Sequence, residues 1–356
     1  LNVIGCNVNK SNIYSKNDSN KIGGIVGGVL TGNNANIIKC NYNESTIISD
    51  DDSTSKAAIA GIVGFTDVVA NFEDCNVTNC DVTVKAGHVG GILSQNVSYS
   101  YGTENELKLD NCKVINTPLT RIADLSGYTE PSNMGGLIGE VISLPTTIKN
   151  CKVTSENEIK QISGNQNLGG LIGLANSKVN IENTEFSNMI IKSSTTNANQ
   201  TGGAIGVNGG DAVIKGLKIK NIKIDSPAGI GGVWGSQTAK ATIEDSEIGN
   251  IKITHNSTNG YMASPIGGII GAGETVNINN INIYDINIEG SDVNTIHMGG
   301  LVAVGNTYVN ISNSNISKIS LKNNSADSGV VPITSGVMAI AKNGGEFENL
   351  NVSDIQ

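Results

Sequence analysis

Residues 169–192 read GGLIGLANSKVNIENTEFSNMIIK, and two features of this stretch recur along the chain. The first is the glycine-rich apolar core that opens it. The same core appears ten times: GGIVG from Gly23, AGIVG from Ala60, GGILS from Gly90, GGLIG from Gly135 and again from Gly169, GGAIG from Gly202, GGVWG from Gly231, GGIIG from Gly267, GGLVA from Gly299 and SGVMA from Ser335. Its mean spacing is about 35 residues, and a repeat of that length points to a solenoid, a propeller or an array.

The second feature is an apolar landmark, Phe186 in the quoted stretch, preceded by a small or apolar residue two positions earlier. It has eleven copies, running Val8, Tyr42, Val77, Val114, Val153, Phe186, Ile219, Ile248, Ile283, Ile316 and Val352. From Phe186 onward, apolar residues follow three and five positions later, as in Met189 with Ile191 and Ile286 with Ile288. Apolar pairs spaced by two mark short strands with one face inward, and the three-residue steps between them break the alternation as a corner must. Each period therefore holds three short strands rich in Ile, Val and Thr, with Asn, Ser, Asp and Gly at the bends. No segment has sustained helical periodicity. A propeller blade carries four strands and two-residue turns at fixed places, which are not seen. A parallel coil explains why like residues return at like positions, because their side chains stack in ladders. The expected fold is all-β: a single-domain, right-handed parallel β-helix, or β-solenoid, over residues 1–356, with about eleven coils of three short strands. The handedness follows the general preference of parallel β connections.

Length varies most ahead of the Gly-Gly cores, where spacings of 37 and 45 residues precede Gly61 and Gly136. Those intervals contain residues 49–58 and 121–133, which read as loops leaving the coil. Loops on a rigid scaffold are where recognition is expected.

Composition supports an ordered β chain: 44 glycines, 4% aromatic and 15% charged residues, unlike the charged, apolar-poor mixture of disordered segments. The net charge of -9 and pI near 4.9 argue against a nucleic-acid partner, which needs clustered Lys and Arg. The longest apolar runs are too short to span a bilayer. The chain begins inside a repeat at Leu1, so a piece of a larger protein is expected, with flanking domains capping the solenoid.

Five of the six cysteines, Cys6, Cys40, Cys75, Cys112 and Cys151, stand two residues before the landmark. Their spacing matches no zinc or redox motif, so a column of stacked, inward-facing free thiols is expected. Cys80 sits at the next inward slot. The histidines His88, His255 and His297 read as lying at unrelated repeat positions. The common zinc-protease, serine-hydrolase and nucleotide-binding signatures are missing, and no catalytic residue or cofactor is assigned. Asp50, Asp51 and Asp52 form an acidic run that could ligate calcium through hard oxygen ligands; a solvated loop is the simpler reading. A glycosidase or lyase would need acidic side chains aligned on one outer face, and Trp234, the single tryptophan, lies inside a core motif where packing is its expected role.

The GGLIG, GGIVG and GGIIG cores, followed by segments such as EDCNV, DNCKV and KNCKV, resemble the GLUG-type repeat of bacterial surface proteins. That repeat also occurs in large adhesins and in the non-catalytic part of immunoglobulin A-cleaving metallopeptidases. The resemblance covers the whole chain, although the cores from Gly299 and Ser335 end in alanine. A weaker resemblance, through GGAIG and FENL, is to chlamydial polymorphic outer-membrane proteins. The first resemblance implies a non-catalytic, extracellular binding or adhesion module at a bacterial cell surface, contacting host protein or glycan through loops and one solenoid face. The alternatives are a carbohydrate-active β-helix enzyme and a passive stalk or peptidase arm.

Overall fold

The computed structural model describes residues 1–16, 21–30, 32, 34–50, 57–98, 105–122, 132–156, 160–164, 167–193, 200–257, 264–292, 296–324 and 333–356. Every strand pairing among them is parallel and joins one repeat to the next, and none of these residues is helical. The chain is thus a parallel β-solenoid. Ten Gly-Gly strands stack in one sheet with nine steps between them, so complete turns number about nine rather than the eleven expected from the landmark. At about 4.8 Å per step the rod is roughly 43 Å long.

One turn is represented by residues 168–193. It contains the strands Leu168–Gly169, Ile172–Ala175, Val179–Glu182, Glu185–Ser187 and Met189–Ser193. They belong to three faces, as expected, but two of the faces are each folded into two segments. The Gly-Gly strand forms the first face alone.

Glycine is required at the second position of the core because the rungs approach there. A Cβ on Gly170 would lie 2.1 Å from the Gly203 carbonyl oxygen and 2.6 Å from the Phe186 ring. At Gly24, Gly61, Gly91, Gly136 and Gly170 the landmark side chain thus fills the space the glycine leaves, and from Gly203 to Gly300 the residue three places later, as Ile222 or Ile286, does so. This second position is glycine in all ten cores, whereas the first accepts Ala60 and Ser335.

Two corners per turn place a residue in the left-handed region. One precedes the cysteine slot, as at Asn150, Asn183 and Asn280; the other lies two residues beyond the landmark, as at Asn79, Asn188 and Asn221. The non-glycine φ values lie between 46° and 55°, a conformation that Asn and Asp adopt at little cost. Their carboxamides then bond from rung to rung. Asn221 donates to Asn188 Oδ1 at 3.0 Å and Asn280 to Asp245 Oδ1 at 2.7 Å.

The residue after each corner has its N–H directed at the next rung, which explains the cysteine column. Cys112 N donates to Cys151 Sγ at 3.4 Å, Cys151 N to Thr184 Oγ1 at 3.3 Å, and Leu217 N to Ser246 Oγ at 3.1 Å. The slot thus suits a thiol or hydroxyl able to accept a bond, and alternates it with apolar side chains at Leu217 and Ile281. All six cysteines are free, and all but the half-buried Cys6 are buried.

Candidate functional site

Asp50 is half-buried on the face beyond the second corner. The Tyr14 hydroxyl donates to it at 2.7 Å and Lys85 Nζ lies 3.3 Å away. These two contacts, the Tyr14 bond foremost, hold its carboxyl below the usual range. Asp51 and Asp52 lie outside the described residues, as do most of the 49–58 and 121–133 loops. Among the described residues no group of three or more His, Cys, Asp or Glu side chains is arranged to hold a metal ion. Trp234 is fully buried in the core.

The loop edge shows what the chain pattern hid. The residue two places before the first glycine and the residue just after the fifth core position form two rows whose side chains meet. Lys21 Nζ stands 4.3 Å from the Phe65 ring centroid. On the following rungs His88 Nε2 lies 3.3 Å from Glu140, while Gln95 and the Asn133 carboxamide donate to the same carboxylate at 2.6 and 3.0 Å. His88 and Glu140 are almost fully buried, with side-chain exposures of 4% and 7%. Asn133 N donates to His88 Nδ1 at 3.3 Å, so the neutral ring carries its proton on Nε2 and donates it to Glu140. Burial holds the His88 pKa below its ordinary value, outweighing the attraction of Glu140. His297 occupies the same row six rungs further on. Two of the three histidines are therefore equivalent in repeat position, contrary to the sequence reading; aligning all ten cores two places upstream would have revealed this.

On the outer side of the first corner the acidic residues alternate with lysines. In one register row run Lys149, Glu182, Lys215 and Glu244, with contacts of 2.9 Å between Lys149 and Glu182 and 3.4 Å between Lys215 and Glu244. A parallel row holds Lys152, Glu185, Lys218 and Glu247, with Lys152 and Glu185 at 3.6 Å. From Lys149 to Glu244 and from Lys152 to Glu247 the carboxylates are separated by ammonium groups, whereas earlier in the first row Glu73 and Asp110 are register partners on adjacent rungs.

Beside these rows an axial groove of about 490 Å³ lies between Asn183, Asp245 and Asn280 on the corner and Lys218, Glu247 and Asn282 on the adjoining strand. Gly216 lines it in the corner row, with Asn183 Oδ1 only 2.6 Å from where a Cβ on that glycine would lie. Two residues along the strand from the groove-lining Glu247, the Tyr284 ring fills the position that a Cβ on Gly249 would need, within 2.4 Å. The Tyr284 hydroxyl donates to Glu247 Oε1 at 2.8 Å, and that bond is the main reason its pKa is raised. Asp245 is held below its usual range by Asn280 and then Lys215.

These surfaces define a class by fold: a parallel β-solenoid with polar side-chain ladders along its outer faces. Comparison with protein-family models, with curated proteins and with solved structures gave no match.

Proposed function

We propose that this chain is a non-catalytic binding module of a bacterial surface protein, acting outside the cell and contacting host protein or glycan through its loop edge and outer face. The observation that carries the reading is where length varies. From the second core glycine to the landmark the chain takes 15 to 18 residues in nine of ten turns, but the return to the next glycine takes anything from 13 to 22. The strand ends bracketing that return are paired in register, as Ser49 is with Ser15 and with Val84, Gly164 with Ser193, and Ser226 with His255. Variable segments thus leave from one edge of an invariant scaffold, the arrangement by which rigid frameworks present recognition loops. The resemblance to GLUG-type repeats supports the same reading. So does the alternation of Lys and Glu over Lys149–Glu244 and Lys152–Glu247, which separates carboxylates that a glycosidase would bring together; the adjacent pair Glu73 and Asp110 is the one place in these rows where the enzyme alternative finds two aligned carboxylates.

The test is binding of the purified chain to an array carrying glycans and extracellular host proteins, with every glycan hit assayed for sugar release. Saturable binding without turnover is the expected result. Turnover would replace the proposal by a carbohydrate-active enzyme, and silence across the array would replace it by a passive stalk.

A further inference from the structure

We infer that the axial groove beside Tyr284 is a subsite for an extended, uncharged glycan lying along the rod, with the tyrosine ring as its sugar-stacking face. This rests on the binding-module reading and names the ligand class for one face.

Three departures from the repeat coincide here. Of the eleven residues one place after the landmark, only Gly249 lacks a side chain and only Tyr284 is aromatic. They are register partners on adjacent rungs. Gly216, one of two glycines among the eleven residues of the first corner row, lines the groove one rung before Gly249 and lets the Asn183 carboxamide lie over it. The glycine at 249 admits the ring, and the bond to Glu247 fixes it. An aromatic face locked before binding loses little freedom when a ligand stacks on it.

The remaining lining suits hydroxyl groups. Asn183, Asp245, Asn280 and Asn282 are exposed, and paired oxygen and nitrogen atoms of such side chains can bond neighbouring hydroxyls of one sugar. The Lys218 ammonium and the Asp245 and Glu247 carboxylates lie in the same groove, a mixed lining that gives no advantage to a charged polymer. The groove reaches from Asn183 to Asn315, four steps of about 4.8 Å, each comparable to the advance of one extended pyranose unit. A peptide is less well served. The groove offers no apolar pocket, and each of its strands is already paired on both sides, which denies main-chain addition.

The experiment is titration of the whole chain with linear β-1,4-linked oligomers of glucose, mannose and N-acetylglucosamine, two to six units long, followed by calorimetry or by shifts of tyrosine resonances. At least one series should bind saturably, with affinity rising to about four units and then levelling. Tyr284→Ala should weaken that binding about tenfold or more, and so should Gly249→Val, which displaces the ring while changing none of the polar residues that line the groove. Circular dichroism and the thermal midpoint report whether each variant is folded. Tyr284→Phe, which keeps the ring and loses its anchor, should fall between Tyr284→Ala and the parent. Absence of binding in all three series overturns the inference, as does binding indifferent to both Tyr284→Ala and Gly249→Val. An array hit on a host protein that Tyr284→Ala leaves unchanged, together with silence from the oligomers, would sink this inference while the binding-module reading stood.

Discussion

The two halves of the rod are built on one repeat but carry it differently. Before residue 200 every described strand is two to five residues long, and the corners interrupt the ladders. Beyond it seven strands reach 9–11 residues, among them Lys218–Ser226, Glu247–Ser257 and Asn282–Asp292, which run on through the left-handed residues Asn221, Asn250 and Asp285. The inward columns differ in step. The later half stacks Ile219, Ile222 and Ile224 over Ile248, Ile251 and Ile253, then over Ile283, Ile286 and Ile288. The earlier half stacks Tyr42, Val77, Val114, Val153 and Phe186 in the landmark column. Identical β-branched side chains keep a constant spacing and let the hydrogen-bond ladder run through a corner. The earlier half, with unequal residues at the ends of its landmark column, also buries a polar network at His88 and Glu140.

The largest expected effect should be common to both halves. Gly136→Ala and Gly268→Ala each drive a Cβ to 2.1 Å from the next rung's carbonyl oxygen, and each should cost about 3 kcal/mol or more, visible as a collapse of the thermal midpoint. A much milder loss in one half would show that the glycine column is not the shared constraint. Next in size is a difference between the halves. Ile286→Ala should cost about 2–5 kcal/mol, whereas Cys112→Ala in the thiol column should cost about 1 kcal/mol. Denaturant titration of both variants checks the ordering, and equal losses would count against the stacked-isoleucine account.

The smallest effect depends on pH and should be concentrated in the earlier half. The folded pKa of His88 lies below the ordinary value of 6.5. As pH falls below that value, the unfolded chain takes up a proton that the folded protein refuses. Stability present above pH 6.5 is therefore lost on acidification, by at most about 1.4 kcal/mol per pH unit for one group, until the lower folded pKa is passed. His297, also shifted down by burial but only partly enclosed, should contribute less. Peptide-resolved hydrogen exchange at two pH values should show protection around residues 84–98 falling on acidification, and His88→Gln should flatten the response. Unchanged protection there would remove His88 as the cause.

The parallel coil, the Gly-Gly core and the inward cysteine column were legible in the sequence because each recurs at a fixed chain distance. The left-handed corners were legible only in part. Asn at a bend signals itself, but Lys10, Lys39, Glu44 and Lys318 hold the same conformation with side chains that carry no such preference. The five-segment path of each turn could not be read from alternation, since the folds within two of the faces occur without a change in composition. The groove at Tyr284 escaped because its parts, Gly216, Gly249 and Tyr284, are neighbours only across rungs. So did the Glu140 site, whose partners are 45 and 52 residues apart from it in the chain at Gln95 and His88.

The near-constant arc from core glycine to landmark has a consequence for how such a chain can change over generations. A genetic duplication of one whole period inserts a rung beside its own copy, where the glycine and landmark columns above and below match it. The rod can thus lengthen or shorten in quanta of about 4.8 Å, while its returning edge accepts new sequence without altering that increment. The molecule behaves as a graduated ruler, on which reach and recognition can be inherited separately.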